Sequence, residues 1–214
     1  VTPAPAPQAY TPPPPPEPPA SFAEEDDHRF DVGFQIGVRW LTGVSKSANA
    51  LFDGEDSGLE VGGFASYAIT KSVFLSVSGA YFEKDGQRVF LADADSPWFP
   101  LGHPLKVRLI PVNLVVGYRF HPWPSVVPYL AVGGGVTFFD EETTIGGVTE
   151  SSSSTEGTAI VMGGVDYVKG NLLIGVQGSW STVPDSVGLG GVSAVYGEDD
   201  LGGVTASVRL GIRF

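Results

Sequence analysis

Residues 29–40 read RFDVGFQIGVRW. In an extended chain successive side chains point to opposite faces. Phe30, Val32, Phe34, Ile36, Val38 and Trp40 therefore share one face, and Asp31, Gly33, Gln35, Gly37 and Arg39 share the other. A helix would scatter both sets, so the stretch reads as a strand with one wholly apolar side.

The same period recurs along the chain in LEVGGFASYAI (59–69), VFLSVSGAYF (73–82), RLIPVNLVVGYRF (108–120), PYLAVGGGVTFF (128–139), AIVMGGVDYV (159–168), LLIGVQGSW (172–180) and ASVRLGIRF (206–214). With the opening stretch these make eight expected strands. The connections alternate in length. Residues 70–72, 121–127 and 169–171 are short, whereas 41–57, 83–104, 140–157 and 181–200 are long. One rim of tight turns and one of long loops describe an antiparallel up-and-down β-barrel.

Three features orient the apolar face. The polar face holds mostly Gly and Ser with a few charges, which suits a crowded narrow interior better than a solvated surface. The aromatics of the apolar face sort into two rings. Phe30, Tyr67, Tyr118, Phe120, Tyr167 and Phe214 fall at the tight-turn end, and Trp40, Tyr81, Phe138 and Trp180 at the long-loop end. Such girdles mark the two interfaces of a membrane. Finally, hydrocarbon leaves no backbone donor unpaired, so the sheet must close. The expected fold is all-β, an eight-stranded antiparallel transmembrane β-barrel over residues 29–214.

Residues 1–28 form a separate region, a disordered proline-rich tail (PAPAPQAYTPPPPPEPPAS and an acidic hinge). Proline removes donors and fixes φ, so the tail is extended as polyproline II. It serves as a spacer or as a ligand for a periplasmic partner. The start at Val1 without methionine suggests a processed N-terminus.

Composition narrows the function classes. The absence of cysteine excludes disulfides, thiolate metal sites and thiol nucleophiles. A net charge of −12 without a basic patch argues against nucleic acid. No run of about 18 apolar residues predicts a membrane helix.

On the inner face, Asp31, Arg39, Glu60, Arg119, Asp166, Arg209 and Arg213 are candidates for a lumen charge network, because buried charge must be paired. The first hairpin is expected to set Arg39 opposite Glu60, Gly37 opposite Gly62 and Asp31 opposite Ala68. At the other end Asp31 lies beside the strand bearing Arg209 and Arg213, with Arg119 and Asp166 at the same depth. The network is a plug that fixes register, or a gate. Pro111 interrupts a regular strand and removes a ladder hydrogen bond. It marks a shaping bulge or a lateral opening, beneath an inner face made apolar by Val107 and Leu109.

The long loops concentrate acidic residues. DGEDSG (53–58) begins like a calcium loop, but its twelfth position is Phe64 and not glutamate, so it reads as solvated surface. ESSSSTEG (150–157) is low-complexity and expected to be mobile. For catalysis only His103 with Ser96 offers a base and a nucleophile in one long loop; no motif supports the pair, and no enzyme, cofactor or metal is expected.

LIPVNLVVGYRF followed by VPYLAVGGGVTFFDEE, with GGVDYV and the final LGIRF, resembles the small outer-membrane β-barrel superfamily, most closely the OmpW family. The tail and the single Pro111, where that family usually has a double proline, depart from its pattern. The resemblance implies a Gram-negative, porin-like barrel in the bacterial outer membrane, with tail and termini periplasmic and acidic loops extracellular. It implies contact with lipid and lipopolysaccharide, passage of small hydrophobic solutes beside the strand proline, and an assembly signal in Phe214, Ile212 and Leu210 read by the outer-membrane assembly machinery. The other reading is a structural, adhesion or accessory-subunit barrel whose tail docks a partner.

Overall fold

The computed structural model describes residues 29–187 and 190–214. The expected proline-rich tail over 1–28 lies outside the described residues. Eight strands run β1 (Phe30–Trp40), β2 (Ser57–Ala68), β3 (Val73–Phe90), β4 (Phe99–Arg119), β5 (Val126–Ile145), β6 (Val148–Lys169), β7 (Leu172–Thr182) and β8 (Gly203–Arg213). Each pairs antiparallel with its sequence neighbours, and β1 closes the barrel on β8. Phe30 and Phe214 complete the seam, each amide donating to the other's carbonyl at 2.9 Å. Their rings stack at 6.0 Å.

The apolar face points outward throughout. Phe34 is 56% exposed, Leu130 59% and Val132 61%, whereas inward Leu109 is 0%. A monomer exposing this much apolar surface has it covered by something other than water. Phe30 and Trp40 stand ten steps apart on β1, which is about 33 Å along the strand. At a tilt of about 40° that gives close to the 25 Å apolar band of a membrane barrel. The barrel spans hydrocarbon, and all ten girdle aromatics face it at 36% exposure or more.

Three expectations are corrected. The first hairpin is registered two residues away, with Arg39 opposite Gly58, Gly37 opposite Glu60 and Asp31 opposite Ser66. A slip of two preserves every residue's face, so alternation alone cannot detect it. Residues 83–104 and 140–157 are not simple loops. β3, β4, β5 and β6 continue through much of them as a four-stranded sheet rising above the long-loop girdle. Apolar–polar contrast vanishes there because the outward face becomes charged. ESSSSTEG accordingly lies within β6, paired with β5, and is not a mobile loop.

The two remaining long connections stay low and fold inward. Residues after β1 form a single 3₁₀ turn (Thr42–Val44) and α1 (Ser45–Leu51), and the connection before β8 carries α2 (Gly191–Tyr196). Leu41, Val44, Ala48 and Phe52 pack against Phe82, Leu109 and Phe139 of the wall, forming a hydrophobic core inside the upper barrel.

Candidate functional site

The lumen is layered. At the tight-turn end Asp31 accepts from Arg213 of the adjoining β8, Nε to Oδ1 at 2.7 Å. It also accepts from Arg119, which reaches it across the lumen from β4. Asp166 pairs with Arg209 at 3.3 Å. Arg209 also donates to the Tyr129 hydroxyl, which donates in turn to Gln177 at 2.8 Å. Arg209 serves Asp166, while Asp31 takes Arg213 and Arg119.

Aromatic rings complete this layer. The Arg209 guanidinium carbon lies 4.0 Å from the Phe64 centroid and 5.1 Å from that of Tyr129. That of Arg119 lies 4.7 Å from Phe74, whose ring meets Tyr129 edge-on at 5.9 Å. Planar guanidinium is weakly hydrated and stacks on rings, so these contacts offset part of the cost of burying charge. Glycine makes the room. A Cβ on Gly117 would stand 2.3 Å from the Phe74 ring, and one on Gly164 would stand 2.7 Å from the Tyr129 hydroxyl. Phe64, Phe74 and Tyr129 were missed among the candidates. Their signal was an aromatic on the glycine-bearing face.

Higher in the lumen Arg39 Nη1 meets Glu60 Oε2 at 3.0 Å, both buried, and Nη2 reaches Ser181 at 3.4 Å. The pair forms diagonally despite the shifted register. Between the two charge layers lies a chamber of about 30 Å³ bordered by Gln35, Asn113, Pro111 and Gln177. It has room for one or two water molecules.

Above Arg39 the character changes. A vestibule of about 340 Å³ opens at the long-loop end, walled by Leu105, Val107 and Phe139 and roofed by α1 and the α2 connection. Phe82 and Leu109, both 0% exposed and paired across β3 and β4, belong to the apolar cluster at its base. At the rim Arg88 binds Glu141 at 2.7 Å and Thr143 at 2.9 Å. The roof is tied together by Glu198. Its carboxylate accepts from the amides of Lys46 and Ser47 at 3.0 and 2.9 Å and from the Ser47 hydroxyl.

Directly below Leu109 is Pro111, buried on the inner face. The β3–β4 ladder pairs Gly79 with Val112 and resumes at Phe82 with Leu109. Ala80 and Tyr81 are left out of register pairing with Pro111 and Ile110, and proline has no N–H to bridge them. The ladder thus lacks two pairs beside Pro111, while its register is the same above and below them.

Outside the lumen, just above the girdle, Glu83 binds Lys106 at 3.0 Å and Arg108 at 2.9 Å, and Arg108 binds Glu142 at 2.9 Å. The Tyr81 hydroxyl, Lys106 and Arg108 hold the Glu83 carboxyl down to about 2. Ser96 donates its hydroxyl to Asp93, lowering that carboxyl. Among the described residues no hydrogen bond joins Ser96 to His103, and no acidic or histidine cluster has metal-binding geometry.

The chain matches the family described as outer membrane protein beta-barrel domain over residues 18–214. No curated protein matches it in sequence. Among solved structures it is similar to the outer membrane protein OprG from Pseudomonas aeruginosa, with TM-score 0.58 and 13% identity, covering 87% of this chain and 96% of that one. It is also similar to Neisserial surface protein A, with TM-score 0.53 and 14% identity, covering 86% and 96%. At these identities the likeness is one of fold.

Proposed function

Because the chain belongs to the outer membrane protein beta-barrel domain family, we infer that this bacterial outer-membrane barrel is a passive, OmpW-like conduit for small apolar solutes. The observation that carries this reading is the pair of missing β3–β4 partners at Pro111, lower in the lumen than a mouth vestibule walled by Leu105, Val107 and Phe139. A solute leaving water at the mouth meets Val107, Leu105 and Phe139. It passes Phe82 and Leu109 when these rotate aside, and leaves sideways between Tyr81 and Ile110 into hydrocarbon. On this route it skirts the buried Arg39–Glu60 pair, which borders the same small chamber as Pro111, and does not cross the lower layer of Asp31, Arg119, Asp166 and Arg209. The barrel performs no catalysis in this reading.

The orientation that fits places tight turns and the proline-rich tail in the periplasm and the acidic long loops outside. Lipid and lipopolysaccharide surround the girdles, and Leu210, Ile212 and Phe214, all facing outward, serve as the signal to the assembly machinery.

Uptake of a small apolar dye into liposomes containing the purified barrel tests the conduit. Flux above protein-free liposomes is expected, falling when Pro111→Ala restores the missing donor. Unchanged flux in that variant overturns the lateral route. A second reading rests on the ion pairs and rings that fill the lower lumen: a closed structural, adhesion or accessory-subunit barrel whose tail docks a periplasmic partner. Absence of dye flux together with tight binding by the tail favours it.

A further inference from the structure

The sheet above the membrane has two edges. On the β3 side the residues after α1 lie close by, with Leu51 and Phe52 near the inner face at Gly86 and the Lys84 side chain donating to the Ser57 carbonyl. The β6 edge is open. β7 accompanies β6 only as far as Thr182 opposite Ala159. From Thr158 up to Val148 the side of β6 turned away from β5 pairs with no strand, and among the described residues no hydrogen bond from outside the β5–β6 pair reaches it.

Exposed edges invite strand addition, and proteins blunt them with lysine, proline, bulges or short length. Residues 148–157, VTESSSSTEG, carry neither lysine nor proline. Their register with β5 is unbroken. Ser151, Ser152, Ser153, Thr155 and Gly157 are exposed. The edge is about 33 Å long at ordinary strand rise, and its side chains are small enough for another backbone to approach. We propose that this edge of β6 docks an extended polypeptide segment from outside the membrane by strand addition, and that the segment is basic.

Two observations choose the occupant. Glu150 and Glu156 are the edge's only charges and lie on one face, six residues apart. They repel an acidic strand and favour lysine or arginine opposite. A second copy fits poorly. It would bring its own Glu150 and Glu156, and two copies in one membrane, each with strands tilted about 40°, would meet at about twice that angle. Such a crossing permits contact at a point, not along a ladder. A free segment can align, take the main-chain hydrogen bonds and place alternate side chains in contact. The inference is independent of solute conduction.

The test uses the full chain in lipid nanodiscs with Ser153→Cys, since the chain has no other cysteine. The probe is a synthetic ten-residue threonine–valine peptide with two lysines six residues apart and a central cysteine. Disulfide trapping should be several-fold greater for this peptide than for its glutamate counterpart, and should fall to background when alternate peptide amides are methylated. Glu150→Lys with Glu156→Lys should reverse the charge preference. Trapping indifferent to amide methylation or to peptide charge overturns the proposal. So does no trapping, or disulfide dimers of the chain outnumbering peptide adducts, which would assign the edge to a second copy.

Discussion

The guanidinium carbon of Arg209 lies over the ring of Phe64, 4.0 Å from its centroid, while its Nη1 serves Asp166. One side chain thus neutralises a buried carboxylate and fills the lumen with an apolar contact. Arg209→Ala leaves Asp166 charged and unpartnered, a change that costs about 3–5 kcal/mol. Arg209→Lys keeps the charge but loses the planar stack, so a smaller loss is expected. Urea unfolding in bilayers reads both. Equal stability of the lysine variant and the parent would show that stacking contributes nothing.

Gly117 is a space requirement of Phe74. Gly117→Ala drives a methyl into the ring, and overpacking of this kind costs about 1–3 kcal/mol. Phe74→Leu in the same chain should recover part of that loss, since the two residues touch. A double-mutant cycle showing strict additivity would separate them.

The charged row above the girdle is sensitive to acid. Glu83 titrates at about 2, below its ordinary range, because the Tyr81 hydroxyl, Lys106 and Arg108 favour its ionised form. Its contribution is complete above the ordinary carboxylate pKa and is lost as pH falls from there through about 2. Carboxyl ¹³C titration should give this low midpoint, and Arg108→Ala should move it upward.

Glu198 joins the α2 connection to the start of α1 by accepting two amides and a hydroxyl. Removing a carboxylate that satisfies helix-start amides costs about 1 kcal/mol. In Glu198→Ala, amide exchange at Lys46 and Ser47 should accelerate while exchange in the barrel strands stays unchanged. Uniform acceleration everywhere would mean the contact supports the whole barrel and not the roof alone.

Strand number, facing and girdles were legible in the sequence because lipid imposes a strict period of two. Phe30 and Trp40 mark the ends of their strand plainly. Legibility stopped where that constraint stops. Above Tyr81 the outward face carries Glu83 and Asp85, paired across strands with Lys106 and Arg108, so the strands continue without an apolar stripe. Within the lumen the charged residues were visible, and so was the Arg39–Glu60 pair, but the contact that crosses the lumen was not. Arg119 reaches Asp31 over the width of the barrel, and no neighbour rule along a hairpin anticipates a contact between β1 and β4. Tyr129 could have been found by asking why an aromatic ring sits on a face otherwise kept small.

The extended strands β3 to β6 occupy one arc of the wall, while β7, β8, β1 and β2 stop near the girdle. The mouth is therefore cut obliquely, like a quill, with a tall back and a low front where the helices lean in. Seen from above, the molecule has a heading. Neighbours in a crowded membrane will not find all its sides equivalent, and the vestibule lies between the tall wall and the helices that lean in from the low front.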